Sequence, residues 1–322
     1  MFQGSADEKP NSTSNGSCDP AQLVAQMLAQ QLLNGLVVSG VYALFSLGFT
    51  LVFGIQRILN LAHGAIFMTG AMVSYYVVKS GMPLWLGFIL AIIASGLLSV
   101  LVEIVCFRRL RKTGDEEFGG IISSIGAGLV IMTIAQQVSG TQVLRFPFET
   151  FPVVIFKFWG LRVSMLQFFM AGAAIVMVLL LGYYVYKTAF GRRIRAVTDN
   201  EAAAMLMGIN PNFVYSQTYF IAGALAGAAG VLVGLAFNSI TFLMGEPYLM
   251  FAFAIIILGG LGSIPGALLA SLVFGMVQTL TIAYLPSGLT DTIIFSSLFL
   301  ILLVRPHGIL GKEDAGLLRG RR

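Results

Sequence analysis

Side chains able to make and break bonds are sparse in this sequence. Two of its 322 residues are histidine and two are cysteine. His63 and His307 offer no His-x-x-x-His ligand spacing, and neither a Ser-His-Asp set nor a carboxylate pair is visible. Cys18 and Cys106 are too few for a disulfide framework or a metal cluster. No Gly-x-x-x-x-Gly-Lys-[Ser/Thr] run is present to cradle a nucleotide phosphate. The expectation is a chain that is not an enzyme and binds no metal or cofactor itself. One polar, helix-forming stretch stands apart, Gly191-Arg-Arg-Ile-Arg195 through Asn200-Glu201-Ala-Ala203-Ala-Met-Leu-Met-Gly208-Ile-Asn210. Arg192, Arg193 and Arg195 suit an acidic surface, and Glu201 to Met207 is a good helix former stopped by Gly208. A docking surface for another protein is the chemistry these residues offer.

The elements around that island are built for lipid. Hydrophobic residues make up 57% of the chain and charged residues 10%, where roughly 25% charged is usual for a soluble domain. About 20 helical residues cross the roughly 30 Å of bilayer hydrocarbon. Apolar runs of that order occur at 32–54, 61–79, 83–107, 119–139, 163–186, 213–237, 247–261, 265–285 and 288–304. The fold class expected is therefore all-α, a polytopic membrane protein with about eight or nine transmembrane helices. Gly and polar residues interrupt 61–79 and 247–261, which could be re-entrant or broken. Fourteen of the 19 Lys and Arg residues fall on one side of this arrangement, which puts the N-terminus outside and the C-terminus in the cytoplasm. The net charge of +5 thus reflects topology, and no nucleic-acid-binding motif accompanies it.

Three parts follow from the same pattern: an external tail at 1–30, a membrane domain at 31–305 with a loop at about 187–212, and a cytoplasmic tail at 306–322. The tail is rich in Ser, Asn, Gly and Asp and reads as disordered or weakly ordered, without the apolar core of a signal peptide. Its Asn11-Ser-Thr and Asn15-Gly-Ser sequons are short enough to arise by chance.

Polar residues inside the expected spans are the candidates for a translocation path. Asn34, Ser39, Tyr42, Ser46 and Thr50 recur down the first span, and Asn60 and His63 share a helical face at the start of the second. Both sets must face protein or water, so path lining and interhelical hydrogen bonding both remain open. Glu103 is the only carboxylate well inside the expected spans. It stands five residues before Arg108, where pairing is favoured over a transport role, and proton coupling has little support. Gly223, Gly227, Gly230 and Gly234 form two Gly-x-x-x-Gly steps on the sixth span and would allow close helix packing. Gly259-Gly-Leu-Gly-Ser-Ile-Pro-Gly266 reads as a tight turn or, alternatively, as a broken helix.

Several motifs, in order, resemble the membrane subunits of Liv-type branched-chain amino acid ABC importers, the H-type subunit in particular. They are Asn34-Gly35, Tyr42-Ala-Leu-x-x-Leu-Gly48-x-Thr-Leu-Val-Phe-Gly54, Asn60-Leu-Ala-His63-Gly, Gly191-Arg-Arg-x-Arg-Ala, Asn200-x-x-Ala-Ala-x-x-x-Gly208-Ile-Asn210, Gly259-Gly-x-Gly-Ser-x-x-Gly266-Ala and Arg305-Pro-x-Gly308-Ile-Leu-Gly311. The resemblance implies an ABC importer permease fold in a bacterial inner membrane. It also implies a second, M-type permease subunit, two ATP-binding subunits carrying ATP and Mg, and a periplasmic substrate-binding protein. Cargo would be branched-chain or other hydrophobic amino acids. Urea, amides and small organic acids are alternatives within the family, and a self-sufficient transporter or channel is the rival outside it. The loop at about 187–212 would be the ATPase-coupling loop, through Arg192, Arg193, Arg195, Asn200, Glu201, Ala203, Gly208 and Asn210. The wider ABC loop motif places Gly six residues after Glu, whereas Gly208 is seven after Glu201, which weakens a contact role for Glu201.

Overall fold

The structure, a computed structural model, describes residues 20–113, 116–147, 150–151, 154–158, 161–305 and 308–310. Cys18, His307, both sequons and most of the two tails lie outside them. The membrane domain opens with α1 (Pro20–Gln56), which starts well before the apolar run expected at 32. Proline suits a first helical position because its missing N–H has no partner there in any case. Then come α2 (His63–Lys79) and α3 (Leu84–Val102). A single π-helical turn, Glu103–Phe107, carries α3 directly into α4 (Arg108–Thr113). α5 is Glu116–Ser139.

An antiparallel hairpin, β1 (Ile155–Phe158) and β2 (Leu161–Ser164), corrects the all-α expectation locally. Its register pairs Ile155 with Ser164 and Phe158 with Leu161, and its β-branched and aromatic residues fit a pleated surface. Ser164 then caps α6 (Met165–Lys187) with a capping box completed by Gln167. The polar island folds as two short helices, α7 (Ala189–Asp199) and α8 (Glu201–Leu206). The remainder is α9 (Pro211–Phe237), α10 (Gly245–Gly259), α11 (Ile264–Tyr284) and α12 (Thr290–Val304).

Among the described residues six helices are long and apolar enough to cross a bilayer: Val24–Gln56, Leu84–Arg111, Phe118–Ser139, Met165–Lys187, Pro211–Phe237 and Ile264–Tyr284. The other three runs read from the sequence are shorter helices, 17 residues in α2 and 15 each in α10 and α12. α1 and α9 form the centre, each 78% buried over its most apolar window, against 22% for the α5 span and 17% for α6. The peripheral helices turn side chains such as Leu129, Val130, Leu179 and Leu180 outward, as lipid requires.

Small residues decide how close the central helices come. A Cβ on Gly223 or Gly227 would collide with Ser95 or Ser99 of α3, and one on Gly230 would collide with the Phe67 carbonyl of α2. Gly234 faces Ile240 and Phe146 near the far end of α9. Where lipid offers no hydrophobic drive to association, such backbone approach supplies the dispersion contact that holds a bundle. Gly259 to Gly266 forms the turn between α10 and α11. Gly260 and Gly262 take positive φ there, Ser263 caps α11, and Pro265 sits in its first turn, so α10 and α11 are not one broken helix at this point.

Candidate functional site

Four consecutive local signals build the polar island. The Thr188 side chain caps α7 by accepting from the Gly191 N–H at 3.2 Å. Asn200 caps α8 through the Ala203 N–H at 3.0 Å, Gly208 ends that turn at φ 80°, and Asn210 caps α9 through the Asn212 N–H at 3.1 Å. Each cap satisfies an otherwise orphaned donor. We expect Asn200→Ala to cost about 1 kcal/mol and to loosen α8 selectively. Faster amide exchange over Glu201 to Leu206, with α6 and α9 unchanged, would show it.

Burial then splits the island into two faces. Ile194, Val197 and Ala204 pack inward on Ile55, Val214 and Tyr215. Arg192, Arg193, Arg195, Asn200, Glu201, Ala203, Gly208 and Asn210 are all exposed. They do not act alike. Arg195 is turned back onto the Val185 carbonyl at the end of α6, Arg193 lies over the Phe190 ring at 5.3 Å, and Glu201 accepts from the Tyr215 hydroxyl at 2.9 Å. The most outward side chains were missed in the sequence: Leu206 is 90% exposed and Met207 82%. Their apolar type inside a polar loop was the available signal. Beside them lies an open groove of about 670 Å³ lined by Arg192, Arg193, Met207, Asn210 and Phe213 among others.

The residues proposed for a path fall differently. Ser39, Tyr42, Ser46, Thr50, Asn60 and His63 are all buried. Ser39 donates to the Gly35 carbonyl at 2.6 Å and the Leu272 carbonyl at 3.2 Å, and Thr50 donates to the Ser46 carbonyl at 2.7 Å. The Tyr42 ring packs edge-on against Phe251 and Phe274. His63 sits between Phe45 and Phe49, with Nε2 3.4 Å from the Phe45 carbonyl. Asn60 turns its Oδ1 to the Ala62 N–H. Asn34 alone is near a surface, in an amide group with Gln30, Gln31 and Gln167. Within this chain Ser39, Tyr42 and His63 contact neighbouring helices, while the hydroxyls of Ser46 and Thr50 return to carbonyls of α1 itself. Sequence periodicity marked the stripe as facing protein or water, and in this chain its residues are packed against neighbouring helices.

The two interrupted runs meet instead. A Cβ on Gly64, at the start of α2, would stand 2.7 Å from the Gly245 carbonyl oxygen at the start of α10. His63 adjoins Phe45, eleven residues or about 16 Å from the end of α1 at Gln56, so both helices begin deep within the bundle. The irregular backbone leading into α2 is served by protein, with the Leu61 N–H donating to Ser124 Oγ at 3.2 Å. Glu246, in the first turn of α10, is exposed and has no ion pair or side-chain hydrogen bond among the described residues. The sequence limits had left this residue just outside a span.

Glu103 lies fully buried, its carboxylate bound by Arg108 at 3.2 Å, by Arg111, and by the Ser216 hydroxyl at 2.8 Å. The expected pairing is present, with two cations instead of one. No group of three or more metal-ligating side chains occurs among the described residues.

A bundle of apolar helices with two interior helix starts and one amphipathic loop defines a multi-pass membrane permease subunit. The comparisons give the family. Residues 31–304 match the family described as branched-chain amino acid transport system / permease component, and the chain belongs to it. It is 32% identical to the high-affinity branched-chain amino acid transport system permease protein LivH of Salmonella typhimurium, over 88% of this chain and 96% of that one. It is 30% identical, with the same coverage, to the permease protein BraD of Pseudomonas aeruginosa. Among solved structures, PsaBC from Streptococcus pneumoniae aligns over 92% of this chain and 99% of its own, at 13% identity and a TM-score of 0.47.

Proposed function

We propose that this chain is one of two permease subunits of an ATP-driven importer for branched-chain amino acids. A periplasmic binding protein delivers the substrate, and two ATP-binding subunits, which hold the ATP and Mg, supply the work. The observation that carries this reading is the α7–α8 surface: two capped helices with an inward apolar face, and Leu206 and Met207 standing out beside an open groove. Adjacent exposed apolar side chains beside an open groove on a polar loop suit a protein interface. The loop lies in the cytoplasm with the arginine-rich helix ends, the N-terminus is outside, and α2, α10 and α12 complete nine crossings in an inner membrane.

The path runs between this chain and its M-type partner, along the exposed start of α10. An unpaired carboxylate at that depth is costly against lipid and fits a wet or polar lining. In a Cys18→Ser background, Glu246→Cys should react with a membrane-impermeant maleimide in the assembled transporter, while Leu179→Cys on the lipid face of α6 should not. Equal protection of both positions would remove the proposed path. The function itself is tested by co-reconstituting this subunit with the second permease, the ATP-binding subunits and the binding protein in sealed vesicles. Leucine uptake that needs all four components and ATP is the expected result, and uptake by this chain alone overturns it.

A further inference from the structure

A π-helical turn, Glu103–Phe107, continues α3 toward α4. The Arg108 N–H donates to the Glu103 carbonyl, a bond spanning five residues instead of four. Such turns are rare and frequently occur at functional sites. Here the widened turn leads from Glu103 to Arg108 and Arg111, and the side chains of both arginines reach its fully buried carboxylate. Arg108 also donates to Ser216 of α9 at 2.7 Å. Arg111 extends further, to Asn212 Oδ1 at 3.3 Å and over the Tyr215 ring at 4.1 Å. The Tyr215 hydroxyl in turn donates to Glu201, the first residue of α8.

We propose that Glu103, Arg111 and Tyr215 form a strut through which displacement of α8 is passed to the α3–α9 pair. This rests on the reading of α7–α8 as the ATPase-docking surface. Glu201 is exposed and fails the register of the wider ABC loop motif, and its bond to Tyr215 gives it an inward role in place of a contact. Above Ser216, α3 and α9 are in backbone contact at Gly223 and Gly227, so the pair moves as one body. A fully buried carboxylate held by two guanidinium groups and a hydroxyl resists withdrawal, because leaving both cations would strand a buried charge. The Glu103–Arg111 end of the strut is therefore its stiff part, and the Tyr215–Glu201 hydrogen bond is the link that ties it to α8. These are positioning residues and touch no substrate.

The test uses the complete reconstituted transporter with Tyr215→Phe, which keeps the ring beneath Arg111 and removes only the hydroxyl. Glu201→Gln serves as a second variant. Expected are normal assembly, ATP hydrolysis retained, and leucine transported per ATP lowered about fivefold, the order set by losing one solvent-accessible hydrogen bond. A purely structural role would lower uptake and hydrolysis together, or neither. A wild-type ratio of the two rates in both variants overturns the strut. Leu206→Asp, run alongside, separates the readings. If it leaves the ATP-binding subunits attached, the docking reading fails. If it detaches them while Tyr215→Phe keeps the wild-type ratio, the strut alone fails.

Discussion

Leu206→Asp combined with Met207→Asp should abolish ATP-dependent uptake while leaving the chain inserted and folded. Neither side chain contributes to the core, at 90% and 82% exposed, and Met207, the C-cap of α8, caps through its backbone N–H and not its side chain. The substitutions therefore cost the isolated subunit little. In the docked state they would bury two unpaired carboxylates against a partner surface, which weakens association by at least about 3 kcal/mol, roughly a hundredfold in affinity. Co-purification of the ATP-binding subunits with the tagged permease reads this directly. Arg192→Ala should do much less, because an exposed arginine at an interface rim contributes modestly. If the double aspartate variant retains its ATP-binding subunits and transports normally, the α7–α8 surface is not where the work enters.

The same loop shows what the sequence could and could not reveal. Thr188, Asn200, Asn210 and Gly208 act through local geometry, a side-chain oxygen over a helix start or a positive φ, and such features are visible in a linear string. The direction in which Glu201 points is not local. It depends on Tyr215, fourteen residues on, and the register of the loop motif only hinted that its contact role was weak. Depth in the bilayer posed a similar problem. Apolar runs at 61–79 and 247–261 were long enough to read as spans, yet α2 and α10 begin inside the bundle where Gly64 meets Gly245. Hydropathy averages over a window and does not see that a backbone has already climbed partway before its helix starts. The stripe from Ser39 to Thr50 was ambiguous for a third reason. Protein and water impose the same periodicity on a helix, and only the packed neighbours distinguish them.

The interior helix starts and the strut together give the bundle a division of labour. α9 is braced against α3 by Gly223 and Gly227 and against α2 by Gly230, so displacement entering at Tyr215 and Ser216 arrives at α2 near its contact with α10. Bistable packing of rigid helices, not bending of one of them, is how small displacements are carried over such distances. The exposed carboxylate of Glu246 lies at that meeting point. The proposed energy input and the proposed path are therefore joined by side-chain contacts at the α8 end and close backbone contacts further in.

That bracing makes Gly230→Ala a strongly destabilising methyl addition. Its Cβ would overlap the Phe67 carbonyl oxygen and stand 3.0 Å from the carbonyl carbon, and a backbone atom cannot rotate away as a side chain would. α2 and α9 must separate, giving up contact along both helices, at a cost of about 3 kcal/mol or more. Gly172→Ala is the opposite case. Gly172 lies on peripheral α6 with nothing within 4 Å of an added Cβ, so the gain in helix propensity, about 1 kcal/mol, is unopposed. The two variants are chemically identical and should shift the thermal unfolding midpoint of the detergent-purified subunit in opposite directions. A neutral Gly230→Ala would mean that α2 and α9 are not in backbone contact, and the bracing of the interior helix starts would fall with it.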